Sequence, residues 1–171
     1  IWIEAIPYIY EQLKENIYIY NNQKAYCALL GDQDDVKTDF NISNNDGASS
    51  SIFNFSENTL NKKYFPNRVL KMEKKISLIM NKLDTIIERN NILASEYDHW
   101  VVDLQGAELL ALNGAVKSLK SCKSISIEVS KVDIYDKGVL WKDLKFWLNA
   151  QGFSAENNPE NFHTDILFKK N

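Results

Sequence analysis

Cysteine is scarce: the 171 residues hold only Cys27 and Cys122, and no CxxC pair occurs. Each lies in or beside an apolar, strand-like run, so both are expected as buried thiols. Histidine is as scarce. His99 and His163 show no HxxxH or similar ligand spacing, which argues against zinc and leaves no metal site to expect. Positive charge is not in excess, because the formal net charge is -3. A nucleic-acid partner, which usually needs a basic face, is therefore not expected. The longest basic-rich stretch, Arg68 to Lys75 (RVLKMEKK), is short and interrupted, and reads as a solvated face. No apolar run approaches the length that spans a bilayer, and no basic, apolar, small-residue leader is present. A cytoplasmic protein without a membrane partner is the expectation. Residue 1 is Ile, not Met, so a cut, processed or partial chain is also expected.

What is present is ordinary for a globular protein: 44% hydrophobic and 25% charged residues. The length suits one domain with a real core, and no repeat or linker divides residues 1–171. Ile1 to Ile6 reads as a strand broken by Pro7. Tyr8 to Tyr20 places Ile9, Leu13 and Ile17 on one helical stripe. Lys24 to Leu30 is a second apolar strand, stopped by Gly31 and the acidic turn DQDD. Val36 to Ser43 alternates like a half-exposed strand, with Ser50 to Phe55 as its expected hairpin partner. Asn54 to Asn67 reads as a long surface loop, and Leu70 to Met80 ends as a strand. Asp84 is the expected N-cap of a helix over Thr85 to Asn90. A strand at His99 to Val102 leads to a helix over Ala107 to Lys120, and Ser124 to Val129 (SISIEV) is the next strand. Gly138 to Gln151 sets Leu140, Leu144, Trp147 and Leu148 on one helical face before Gly152. Phe153 to Glu156 and Thr164 to Lys169 read as a closing strand pair. The alternation predicts an α/β fold with a mostly parallel sheet and an antiparallel edge.

In open parallel sheets, ligands bind beyond the carboxyl ends of the strands. Four acids fall at or near such ends: Glu4, Asp32, Asp103 and Glu128. An acid in Glu4's position typically accepts from ribose hydroxyls, and Pro7 beyond it offers a ring for an adenine. Asp32 could accept from an adenine amino group, or could simply be solvated in its acidic turn. The stretch DHWVVDLQGAELLALNGA is the most informative. Asp103 ends an apolar strand, Gly106 turns, and Glu108 enters a helix where the dipole favours an acid. Asp103 and Glu128 are the candidate catalytic bases. His163 is a weaker candidate base, because it lies in the polar tail NPENFHT, where a surface histidine is the plainer reading.

DLQGAELLALNGA, followed by SISIEVS, resembles the FkbM family of S-adenosylmethionine-dependent methyltransferases. WIEAIPYIYEQLKENI, ALLGDQDDVKTDFNIS with GASSSI, and KLDTII match further segments, so the resemblance runs from about Ile1 to Phe153. It implies a Rossmann-like class I methyltransferase fold and O-methylation of a sugar, glycan or polyketide-like hydroxyl. It implies that Glu4 holds the cofactor ribose, that Asp32 lies near the adenine, and that Asp103 faces the methionine end or the acceptor. Gln105 and Glu108 belong to the signature. Ser50 and Ser51 match a serine-rich turn near the acceptor. One departure stands out. The family opens with a strand and a glycine-rich turn around the methionine moiety, whereas the six glycines here make no GxGxG. The first strand is thus expected to be missing, leaving two strand edges unpaired and apolar surface open.

Two other readings stay open. A nicotinamide-dependent oxidoreductase on a similar fold also uses an acid after its second strand. A catalytically inactive relative could instead serve as a binding or assembly module. Tyr8, Tyr10, Tyr18 and Tyr20 cluster on or beside one helix, which suits a homo-oligomer, although half-buried tyrosines explain them as well.

Overall fold

The computed structural model describes residues 1–171. Strand β1 (Trp2–Glu4) leads into helix α1 (Pro7–Ile17), which returns the chain to β2 (Ala25–Cys27), parallel to β1. Pro7 occupies the start of α1, where its fixed φ suits a helix and its missing N–H is not needed. The Glu4 carboxylate accepts from the Ile6 N–H at 2.7 Å and holds the strand-to-helix turn. Tyr18 and Tyr20 lie past the end of α1 and are largely exposed. Cys27 is exposed rather than buried, because β2 belongs to a sheet of only two strands.

A second sheet contains β3 (Leu29–Leu30), β4 (Val36–Ser43) and β5 (Met72–Asn81), in the order β3-β5-β4. The expected hairpin is corrected here. The antiparallel partner of β4 is β5, in a ladder from Val36↔Met80 to Ser43↔Met72. Ser50 to Phe55 makes one isolated bridge, Asn41↔Ser51. The reason is local competition. Ser50 Oγ accepts from the Ser43 N–H and Ser51 Oγ from the Phe53 N–H, so this segment bonds through side chains and not as a strand. The expected loop over 54–67 also holds a short helix, α2 (Glu57–Leu60), capped by Ser56 Oγ on the Thr59 N–H at 3.2 Å.

Helix α3 (Leu83–Arg89) precedes β6 (His99–Val102) and α4 (Glu108–Asn113). The long helix expected after Ala107 stops at Gly114, and a separate 3-10 turn follows at Ser118–Ser121. Asp84 does not cap α3. Its carboxylate instead accepts from the N–H groups of Lys117 at 2.9 Å and Ser118 at 2.8 Å, which starts that turn. The chain closes with β7 (Ser124–Ser130), α5 (Trp141–Ala150), β8 (Phe153–Ala155) and β9 (His163–Lys170). The third sheet has the order β6-β7-β9-β8.

The architecture is α/β, but the strands form three hydrogen-bonded sheets, not one. Three pairings are parallel (β1-β2, β3-β5, β6-β7) and three antiparallel (β4-β5, β7-β9, β8-β9), so the sheet structure is not mostly parallel. β1 pairs only with β2, and β6 only with β7, so each has one free edge. Val101 on β6 is 78% exposed. The main core lies between β7, β8, β9 and α5, where Ile125, Ile127, Phe153, Phe168 and Leu148 are wholly buried. A second cluster joins Ile6 and Leu29 to Phe40, Ile42 and Met80. No helix is long and apolar enough to cross a membrane.

Candidate functional site

The carboxyl ends of β1 and β6 border one cleft of about 400 Å³. Ile3 to Ile6 form one wall, Ala28 to Leu30 a second, and Asp103 to Gln105 a third, with Asp46, Ser50 and Ile52 above them. Glu4 and Asp103 therefore reach the same space from two sheets. Ser50 and Gln105 line it too. Pro7 and Asp32 do not: Pro7 is an exposed helix-starting residue, and Asp32 stays in its turn. The neighbours of Asp32 have structural partners, with Asp34 accepting from the Lys82 N–H and Asp35 paired to Arg89 at 2.8 Å.

The turn after β6 is the centre of the site. Gln105 (φ 53) and Gly106 (φ 94) are successive left-handed residues, and they fold the backbone back before α4. Glu108 fixes this turn from beneath. Its carboxylate accepts from the Leu104 N–H at 3.0 Å and the Gly106 N–H at 3.1 Å, and the residue is 2% exposed. Burial pushes its pKa up to about 7, against the opposing pull of those amides. Ser51, fully buried, donates to the Gln105 carbonyl at 2.8 Å. Glu108 and Ser51 thus shape the turn and do not face the cleft.

The Gln105 side chain ties the acids together. Its amide nitrogen donates to Asp103 and, at 2.9 Å, to Oε2 of Glu128. Its amide oxygen accepts from the Tyr135 hydroxyl at 2.6 Å, which fixes which end of the amide faces the carboxylates. Burial holds the Tyr135 phenol far above its ordinary range, so it remains a donor. The second oxygen of Glu128 lies 2.9 Å from Nε2 of His163. Burial raises the Glu128 pKa, opposed by the His163 hydrogen bond, while that same bond raises the His163 pKa. Oxygens of Asp103, Glu108 and Glu128 lie within 4.8 Å of one another. Hydrogen bonds to Gln105 and to the turn amides account for that spacing.

A second, small cavity opens on the other side of the turn. Its walls include Gly106, Glu108, Glu128, Tyr135, Gly138 and His163. Tyr135 carried no signal in the sequence. His163 carried a faint one: it alternates with Asp165 on β9, and Asp165 faces Glu128 across the ladder. Its placement beside Glu128 corrects the reading of a surface histidine.

No curated protein and no solved structure matches the chain. A family profile described as Methyltransferase FkbM domain matches residues 1–155. Matched over most of its length, the chain belongs to the FkbM methyltransferase domain family.

Proposed function

We propose that the chain is an S-adenosylmethionine-dependent O-methyltransferase whose acceptor is a hydroxyl of a sugar, glycan or polyketide-like molecule, built on a single Rossmann-like domain. The observation that carries this reading is the shared cleft of Glu4 and Asp103, each at the end of a parallel strand. The cleft is of a size that small-molecule sites have, and most of its lining is apolar with a few polar groups. One Glu4 oxygen holds the Ile6 amide. The other is free for a pair of ribose hydroxyls. These features fit the cofactor, which when bound supplies an activated methyl group.

The chain's own residues then have separable tasks. Glu4 binds and orients at the ribose end. Asp103, exposed at the cleft and held by Gln105, faces the reacting end. Alignment of the acceptor oxygen with the methyl group is the main requirement of an in-line displacement. A positioned base adds roughly a hundred- to ten-thousand-fold, and the Asp103–Glu128 region is where a hydroxyl proton would be taken up.

Calorimetric titration of S-adenosylhomocysteine tests the reading. Micromolar binding is expected for the 171-residue chain. Glu4→Ala and Asp103→Ala should each weaken it at least about tenfold, the loss of one charged hydrogen bond. A folded chain that takes up no S-adenosylhomocysteine would sink the proposal.

A further inference from the structure

The cleft of Glu4 and Asp103 is one-sided in charge. Its lining includes three acids, Glu4, Asp46 and Asp103, and no lysine, arginine or histidine. None of these acids takes part in an ion pair. Elsewhere on the chain cations do sit beside acids: Asp35 is 2.8 Å from Arg89, and Asp98 is 2.8 Å from Lys123. Lys74 sits over the Tyr8 ring, 5.4 Å from its centroid, and does not line the cleft. Behind Asp103, oxygens of Glu108 and Glu128 lie within 4.8 Å of it and of each other. The one basic side chain paired with this group is His163, on Glu128.

Asp46 is the acid that the sequence patterns did not single out. It is exposed, at a φ of 56, and Gly47 follows at a φ of 84. Successive left-handed residues turn the backbone tightly, and Asp tolerates that region better than most side chains. The turn packs on the start of α1: a Cβ on Gly47 would meet Ile9 at 3.0 Å, the Tyr8 hydroxyl at 3.1 Å and Ile6 at 3.3 Å. Ile6 is also the residue whose N–H bonds Glu4. Asp46 and Glu4 therefore border one end of the cleft, and Asp103 stands on another wall.

We propose that Glu4, Asp46 and Asp103 act together as a charge filter, which holds the cationic S-adenosylmethionine more tightly than the neutral S-adenosylhomocysteine. This inference rests on the methyltransfer reading. The two molecules differ by one methyl group and by the positive charge of the sulfonium. Their amino-acid end is a zwitterion in both and cancels in the comparison. In a partly enclosed site charges act at an effective dielectric of about 20, so their pull is about four times that in bulk water. Asp103 supplies it at the reacting end, and Glu4 and Asp46 add to it from the other end. Loss of the methyl group removes the positive charge and the attraction with it. The filter thus favours exchange of spent product for fresh donor, and Asp46 is a specificity-determining residue of the cleft.

Calorimetric titration of each molecule into the full chain, without an acceptor, tests the filter. S-adenosylmethionine is expected to bind about tenfold or more tighter than S-adenosylhomocysteine. That ratio should fall as salt is raised from about 0.05 M to about 1 M, where the Debye length shrinks to about 3 Å. Asp46→Asn keeps the left-handed turn, which Asn also tolerates, and removes one charge. It should lower the ratio about threefold, chiefly by weakening S-adenosylmethionine. Asp103→Asn should lower the ratio as well. Equal or tighter binding of S-adenosylhomocysteine by the parent overturns the proposal. So does a preference for S-adenosylmethionine that neither variant and no salt reduces. A folded chain that binds neither molecule strikes the methyltransfer reading itself, whereas one that binds both equally strikes only the filter.

Discussion

Gly114 packs on the backbone of Gly31 so closely that a Cβ at Gly114 would lie 1.9 Å from the Gly31 carbonyl oxygen. The φ of Gly114 is an ordinary -84, so space and not conformation requires glycine there. The contact joins the end of α4 to the strand end at β3, where the Gly31 N–H donates to the Asn81 carbonyl. Gly114→Ala must push two backbones apart. A loss of about 3 kcal/mol is expected, lowering Tm by about 6–12 °C. Gly152→Ala is the contrast. Its Cβ meets nothing within 4 Å, but its φ is +85, so only about 1 kcal/mol should be lost, through backbone strain. Thermal melts of both variants check the ranking.

Glu108 should make stability depend on pH in an unusual direction for an acid. Its folded pKa of about 7 lies above the reference value of 4.5, so the folded chain holds the proton more tightly than the unfolded one. The stabilisation is full below about pH 4.5 and is lost as pH rises through about 7. Its size is on the order of 3 kcal/mol. Glu108→Gln keeps an oxygen for the Leu104 and Gly106 amides, so it should flatten this decline. Glu108→Ala leaves both amides unpaired and should lose about 2–4 kcal/mol at pH 5. Urea midpoints at pH 5 and pH 8 for the three proteins separate these effects.

Asp84 is predicted to stabilise a turn more than thirty positions away in sequence, since it bonds the amides of Lys117 and Ser118 and the Ser118 hydroxyl. Asp84→Ala should lose about 2 kcal/mol. Asp84→Asn keeps one acceptor oxygen and should lose less. Native-state hydrogen exchange gives the sharper readout: the Lys117 and Ser118 amides should lose protection in Asp84→Ala, while those of α3 should not.

These residues also show which parts of the fold are legible in the sequence. The strand at His99 to Val102, the Gly106 turn and the Glu108 helix start are local patterns, and they appear where expected. The end of that helix does not, because Gly114 is held by Gly31 and the next amides by Asp84, both distant in sequence. The partner of β4 is not legible locally for a similar reason. Two segments alternate well enough to pair with it, and the serine hydroxyls of one remove it from the ladder. Glu4, Asp103 and Gln105 are found from strand ends and a signature turn. Tyr135 lies in an irregular stretch with no period, so only the three-dimensional structure reveals its bond to Gln105.

Gln105 offers the most direct test of how the acids are held. Its amide supplies donors to both Asp103 and Glu128, while Tyr135 keeps its oxygen turned away. Gln105→Glu removes both donors and adds a third carboxylate beside the two. A loss of about 2 kcal/mol is expected at pH 8. The loss should shrink toward pH 5, because burial raises the Glu128 pKa and its protonation relieves the repulsion. Tyr135→Phe keeps the ring stacked on Phe55, with centroids 5.2 Å apart, and removes only the hydroxyl. It should lose about 1 kcal/mol, with little dependence on pH. Urea unfolding of both variants at the two pH values measures this. Equal losses at pH 5 and pH 8 for Gln105→Glu would mean that its amide is not what holds Asp103 and Glu128 together as charged groups.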